Sequence, residues 1–145
     1  RLTNMQAALG LAQLERLDSF LQRKRSHAAL MTELLGAPGN GIELLKTSGE
    51  GIPSFWLFPV LLTGGDERRR SRVIQRMADR GIEVRSAFLP LHLMPPFLHC
   101  RHADDMHQSE LIGRQAICLP NYPQLVEEEI VWMLLSLVEA VQSDE

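Results

Sequence analysis

Cysteine is scarce in this 145-residue sequence: Cys100 and Cys118 are the two present. They form no Cys-x-x-Cys pair, so neither a disulfide framework nor a cysteine zinc site organises the chain. Two isolated thiols predict a reducing, cytoplasmic setting. Aromatic residues make up 6%, so the core must be built mainly from Leu, Ile, Val, Met and Ala. Charge of one sign is also lacking. A formal net charge of −3 gives no global electrostatic case for nucleic acid or an anionic membrane as partner. The apolar stretch 130–138 is interrupted by Ser136 and falls far short of the roughly 20 residues a membrane span needs. There is no initiator methionine either. The sequence opens on Arg1, directly before a helix signal, and is expected to be the back part of something longer.

What is present is ordinary globular usage, 45% hydrophobic and 23% charged, which excludes disorder and collagen-like structure. Thr3 with Gln6 three residues later forms a capping-box signature. The stretch after it reads as one helix reaching Leu35, with Leu14, Leu17, Leu21 and Ala28 at helical spacing, and Gly36-Ala37-Pro38-Gly39 ends it. A helix of about 33 residues is roughly 50 Å long. A compact chain of this size has a radius of gyration of only about 15 Å. Even with a break at Gly10, the helix is expected to overshoot its own domain, its first turns packing on another part of the chain or on another subunit. The predicted division is therefore a linking or interface helix over 1–36 and a small domain over 37–145.

Residues 42–45 read as a short strand and 54–62 as a mostly buried one, with Pro59 favouring an edge or a bulge. Residues 67–80 read as an amphipathic helix. Val73, Ile74, Met77 and Ala78 form its inner stripe, Arg72, Arg76 and Arg80 an outer one, and Gly81 its cap. Residues 82–88 return as a strand, giving a β-α-β order and a small α/β layer. A Pro- and His-rich loop covers 89–105. Helix 106–114, strand 116–119 and a final helix from about Val126 complete the chain, with Glu127, Glu128 and Glu129 where the helix dipole favours anions.

Four segments could carry chemistry. His92, His99, His102 and His107 cluster with Cys100, but their spacing matches no structural zinc pattern, so no metal is predicted. The arginines from Arg68 to Arg85 could meet phosphates. Their acidic neighbours and the lack of interleaved aromatics favour a solvated helix face. Residues 46–51, Lys-Thr-Ser-Gly-Glu-Gly, could cradle an anion through backbone amides, yet they do not form a P-loop frame. Phe88-Leu89-Pro90-Leu91-His92 is the most site-like segment, because it places a titratable ring just past a strand end.

Several segments in order resemble one family. Arg1-Leu2-Thr3-Asn4-Met5-Gln6-Ala7-Ala8-Leu9-Gly10 and the turns after it are similar to the opening of the C-terminal part of the DegT/StrS sugar aminotransferases. Ser54-Phe55-Trp56-Leu57-Phe58-Pro59 resembles their first small-domain strand. Gly81-Ile82 through Arg85, with Pro90-Leu91-His92, resembles a "GI-x-x-R … P-x-H" stretch. Leu119-Pro120-Asn121-Tyr122-Pro123 with Glu127-Glu128-Glu129 resembles the closing "LP-x-x-P … EEE" motif.

The resemblance implies an α/β (α+β) fold: a long N-terminal helix, then a small, mainly antiparallel sheet with helices packed on one face, the C-terminal domain of a fold-type-I enzyme. It implies a homodimer joined through the long helix, a large N-terminal domain, pyridoxal 5'-phosphate (PLP) as cofactor, and transfer of an amino group to a keto sugar nucleotide. The 83–92 stretch leans towards the perosamine-synthase-like branch. The family's cofactor lysine lies upstream. Lys24 and Lys46 are the lysines here, and neither falls at the matching position, so no catalytic residue is assigned to this chain, and the chain alone is expected to be inactive and to bind no PLP. The resemblance places Arg1, Thr3 and Asn4 near the partner subunit's cofactor phosphate, and Arg85, Phe88 and His92 on the substrate side. Phe88 stands where many members carry Tyr, and Val126 where Thr or Ser often caps the last helix, a loss of about 1 kcal/mol. Two other readings compete: a non-catalytic α/β module binding a ligand or partner, and an arginine-rich nucleic-acid binder.

Overall fold

A computed structural model describes residues 2–46, 49–101 and 103–143. Arg1, His102 and the Thr47-Ser48 part of the Gly-rich loop lie outside the described residues. The capping box at Thr3 forms as expected. The Gln6 N–H donates to Thr3 Oγ1 at 3.3 Å, and the Thr3 N–H donates to Gln6 Oε1 at 2.9 Å. It opens α1 (Asn4–Leu14), and α2 (Leu17–Leu35) follows. The break falls at Glu15-Arg16 and not at Gly10. There the Arg16 N–H tightens onto the Gln13 carbonyl at 3.1 Å, and Arg16 adopts φ −103°, ψ 0° before the helix resumes. Gly10 stays helical with open space around it.

α1 buries no residue of its own, whereas α2 sinks Ala28, Met31 and Leu35 into the core. Leu2, Met5, Leu9 and Leu14 stay exposed, so α1 and its approach keep an apolar surface without cover from the rest of the described chain.

The sheet comprises β1 (Ile42–Leu44), β2 (Phe58–Leu62), β3 (Arg85–Ser86) and β4 (Ala116–Leu119), in the order β1-β2-β4-β3 with every pairing antiparallel. Since β2 and β3 both run against β4, they are parallel to each other. α3 (Glu67–Asp79) is the crossover between them, with β4 inserted in the gap. α4 (His107–Gln115) precedes β4, and α5 (Glu127–Gln142) closes the chain. One face of the sheet, carrying Phe58, Val60, Leu62, Ile117 and Leu119, packs on α2, α3 and α5 around Met31, Met77, Ile130 and Leu137. Burial of these side chains is the main favourable term of the fold.

The strands predicted over 54–62 and 82–88 are both shorter than expected. Phe55 has φ 47°, which interrupts the extended path and delays β2 to Phe58. β3 has β4 alone as neighbour and shrinks to two residues. Pro59 sits in an interior strand and not at the sheet edge. It is tolerated because β1 ends at Leu44, opposite Val60, so Pro59 lies just beyond the ladder on that side. The 89–105 loop contains two 3₁₀ turns, Leu91–Leu93 and Pro95–Phe97.

In α3, Val73 and Met77 are buried, but Ala78 is exposed, so the inner stripe is narrower than predicted. The arginines are not a simple solvated face. Arg76 donates to the Ala140 carbonyl at 2.9 Å and the Ser143 carbonyl at 3.2 Å, and Arg80 to the Ser136 carbonyl at 3.1 Å. Arg69 bonds the Thr63 and Val141 carbonyls, and Arg70 the Gly113 carbonyl. The last turn of a helix has orphan carbonyls and a negative dipole end, and guanidinium groups satisfy both. α3 thus cements the C-terminal end of α5. Gly81, at φ +76°, closes α3 in a Schellman turn, with its own N–H on the Ala78 carbonyl and that of Ile82 on the Met77 carbonyl. Val126 has no side-chain oxygen to cap α5, but its N–H donates to Glu129 Oε2 at 3.1 Å, which restores half of a capping box.

Two outcomes follow from this packing. Met77→Ala, at a fully buried site, is expected to cost about 2–5 kcal/mol in urea unfolding. Asp66 caps α3 by accepting from the Arg68 and Arg69 N–H groups, and these bonds, that from Arg69 foremost, hold its carboxyl below the usual range. A depressed folded pKa stabilises above the unfolded value of about 3.9, and that stability is lost as pH falls through the folded value. Thermal unfolding at neutral pH and at progressively lower pH should therefore show Asp66→Ala less stable than the native protein near neutrality, with the gap closing in acid.

Candidate functional site

The second face of the sheet carries the site. Pro59, Cys118 and Arg85 are paired across β2, β4 and β3 on one rung, so their side chains share the face opposite the core. Ile112 of α4 faces this rung across a hollow. Cys118 is buried at its floor, and burial raises the thiol above its ordinary pKa, so the sulfur stays protonated and behaves as a small apolar group.

Two hollows meet over Cys118. One, of about 1070 Å³, is lined by Leu44, Lys46, Phe55, Trp56, Phe88 and Ile112 among others. The second, of about 610 Å³, includes Lys24, Trp56, Arg85, Tyr122 and Trp132. Two exposed rings line the larger hollow, and Trp56 also borders the smaller one. Trp56 is 66% exposed and Phe88 72%, and the rings stack with centroids 6.3 Å apart and planes at 26°. Arg85 lines the smaller hollow and is paired with Glu83 at 2.8 Å.

The support under Trp56 is polar and buried. Asn121 is 3% exposed, and its Nδ2 donates to the Phe55 carbonyl at 2.9 Å and the Lys24 carbonyl at 3.1 Å. These bonds fix the amide orientation, so Oδ1 is the acceptor facing His27 Nδ1 at 3.2 Å, and that nitrogen carries the proton. Lys24 Nζ donates to the Asn121 carbonyl at 2.6 Å and the Trp56 carbonyl at 3.3 Å, while burial lowers its pKa below that of an ordinary lysine. A bulky residue at positive φ costs free energy and persists only where its surroundings hold it. Phe55 is held by this network and by its ring against the core, 6.3 Å from that of Phe58.

The other expected site residues fall into separate places. His92 lies on the first 3₁₀ turn with its side chain 9% exposed. Its Nε2 meets Glu110 Oε1 at 3.2 Å, and Glu110 Oε2 accepts from Arg114 at 2.9 Å. It lines a third hollow of about 590 Å³ on the far side of Phe88, with Phe97 and Cys100. Phe88 thus borders both the sheet-face hollow and that of His92, while Arg85 lies across the Trp56 stack. The segment is seated by a close approach: a Cβ on Gly113 would come within 2.6 Å of Pro90. Thr3 and Asn4 stand at the exposed start of α1, where Thr3 commits its hydroxyl to the cap. Among the described residues no group of three or more His, Cys, Asp or Glu gathers as a metal site.

PLP chemistry needs an uncommitted lysine amine beside an enclosed ring. Lys24 is engaged with two carbonyls, and Lys46 lies exposed at the rim of the larger hollow. Trp56 and Asn121 are the site residues that the sequence does not single out. An amide between two prolines, after a short apolar strand, is the one local hint of Asn121.

Removing the Asn121 side chain leaves the Phe55 and Lys24 carbonyls and the His27 ring nitrogen without their partner. Asn121→Ala is expected to cost about 3 kcal/mol in denaturant unfolding.

The sequence model of the DegT/DnrJ/EryC1/StrS aminotransferase family matches residues 1–137. The GDP-perosamine synthase of Caulobacter vibrioides is 35% identical over 137 residues, which are 94% of this chain and 37% of that protein. The GDP-perosamine synthase of Escherichia coli O157:H7 is 32% identical over 139 residues, 96% of this chain and 36% of that protein. In structure, Helicobacter pylori PseC, an aminotransferase of pseudoaminic acid biosynthesis, superposes with TM-score 0.85 at 20% identity, over 99% of this chain and 38% of its own. S. venezuelae DesV superposes with TM-score 0.78 at 28% identity, over 95% of this chain and 36% of its own. The chain spans little more than a third of the length of these relatives, and it belongs to the DegT/DnrJ/EryC1/StrS aminotransferase family.

Proposed function

We propose that this chain is the small C-terminal portion of a cytoplasmic, PLP-dependent aminotransferase that converts a keto sugar nucleotide to an amino sugar. The observation that carries this reading is the family match over residues 1–137, together with GDP-perosamine synthases at 31–35% identity. In such an enzyme PLP, held by a large domain, supplies the reversible uptake and release of the amino group.

The residues of this chain then bind and position. The apolar surface at the start of the chain, from Leu2 to Leu14, is exposed and suits cover by the large domain or by a second subunit in a homodimer. Thr3 and Asn4, beside Arg1, would stand near the partner's cofactor phosphate. The hollowed sheet face, with Arg85 and Phe88, would form one wall of the substrate cleft, and His92 would orient the loop at its mouth. His92 would act through Glu110, and would donate from Nε2 whenever that carboxylate is charged. The division into a linking segment over 1–36 and a small domain over 37–145 fits these roles. No helix among the described residues is long and apolar enough to cross a membrane.

The reading is tested on the enzyme that contains this chain joined to a large domain carrying the cofactor lysine. Bound PLP should give visible absorbance, and glutamate with a GDP-linked 4-keto sugar should yield the amino sugar. A folded, dimeric protein showing neither property would overturn the proposal.

A further inference from the structure

We infer that the outward stripe of α5 is a docking surface for a second copy of this chain, the two α5 helices packing antiparallel about a two-fold axis. The inference stands on α5 and Arg80 and does not depend on the aminotransferase reading.

Helical spacing fixes which residues face out. α5 buries Ile130, Met133, Leu134, Leu137 and Val141 against the core. Glu128, Trp132, Leu135 and Glu139 then share the opposite side, and all four are exposed. The stripe has an indole and a leucine at its middle and a carboxylate at each end. Single exposed apolar residues are ordinary. Here, however, Glu127, Glu128, Val131, Trp132 and Leu135 line a shallow hollow of about 350 Å³. Four of them, Glu128, Val131, Trp132 and Leu135, stand at i, i+3, i+4 and i+7, the spacing of a hole that receives a knob from a facing helix. Leu135 is the knob that an identical helix offers. A two-fold register that seats Leu135 over the copy's Trp132 also brings Glu128 opposite the copy's Glu139.

Charge selects the antiparallel direction. In a parallel pairing Glu128 would meet its own copy, and Glu139 likewise, and both contacts would repel. In the antiparallel pairing Glu128 of each copy approaches Arg80 of the other. Arg80 Nη1 already holds Glu139 Oε2 at 2.8 Å and the Ser136 carbonyl at 3.1 Å, and its side chain remains partly exposed. A guanidinium has five donors, so it can bridge the two carboxylates and turn repulsion into attraction at both ends of the interface. A large domain could cover an apolar stripe as well. It would not require knob, hole and opposite charges to match one another on a single helix, as a two-fold contact does.

α1 keeps an apolar surface of its own, so the test is made in a Leu9→Glu background, a change at an exposed site. Sedimentation equilibrium of this 145-residue chain should show a reversible dimer at concentrations of about 10–100 µM. Leu135→Glu should leave a folded monomer over that range. Glu128→Arg and Arg80→Glu should each weaken the dimer roughly tenfold. An equimolar mixture of these two variants should regain it, because each altered charge then meets its opposite. Arg80 also braces α5, so circular dichroism accompanies these variants, and Leu135→Glu carries the test if Arg80→Glu unfolds. A folded chain that stays monomeric, a dimer indifferent to Leu135→Glu, or a folded mixture that associates no better than its parts would each overturn the interface. In the longer enzyme, Leu135→Glu should halve the particle mass. Unchanged mass with a lowered Tm would assign the stripe to the large domain and overturn the proposal.

Discussion

One buried amide organises the side of the molecule where function is expected. Asn121 joins three stretches far apart in sequence: α2 through Lys24 and His27, the approach to β2 through Phe55, and its own loop after β4. An amide buried to this degree is tolerated because both its oxygen and its nitrogen have partners. The reciprocal bond from Lys24 Nζ to the Asn121 carbonyl closes the arrangement. Without it, the strained backbone at Phe55 would relax, and Trp56 would lose the direction that brings it beside Phe88.

The two faces of the sheet divide the labour. The core face is a continuous apolar layer under α2, α3 and α5, and it provides stability. Arg69 and Arg76 of α3 finish this layer by satisfying carbonyls at the end of α5, so a feature that suggests anion binding serves as a helix clamp. The other face buries Leu61 and Ala116 towards α4 and is hollow over Cys118, with an inert thiol as the floor and aromatic rings at the rim. A hollowed apolar face, beside a helix that buries none of its own residues, fits a domain that completes its surface against a larger body.

Local signals were legible in the sequence because local physics decides them. The Thr3–Gln6 box, the Gly81 turn, the carboxylates opening α5 and the existence of every strand depend on neighbours within a few residues. The break at Glu15-Arg16 was hidden because nothing in composition separates it from the helix around it. Strand lengths were overestimated because Phe55 and the edge position of β3 act through tertiary context. The candidate site was legible in part. The Phe88–His92 segment could be found from its place after a strand. Asn121, whose partners lie 66, 94 and 97 residues away, could not be found from spacing. The pairing of Trp56 with Phe88 likewise depends on register across β2, β4 and β3.

The central claim is that the Asn121 side chain holds Trp56 against Phe88. Ring-to-ring nuclear Overhauser contacts between Trp56 and Phe88 in solution test it most directly. The account predicts these contacts in the native chain and their loss in Asn121→Ala, with the contacts among Met31, Met77 and Leu137 in the core retained. Contacts that persist unchanged in a folded Asn121→Ala chain, or that are missing from the native one, would contradict it.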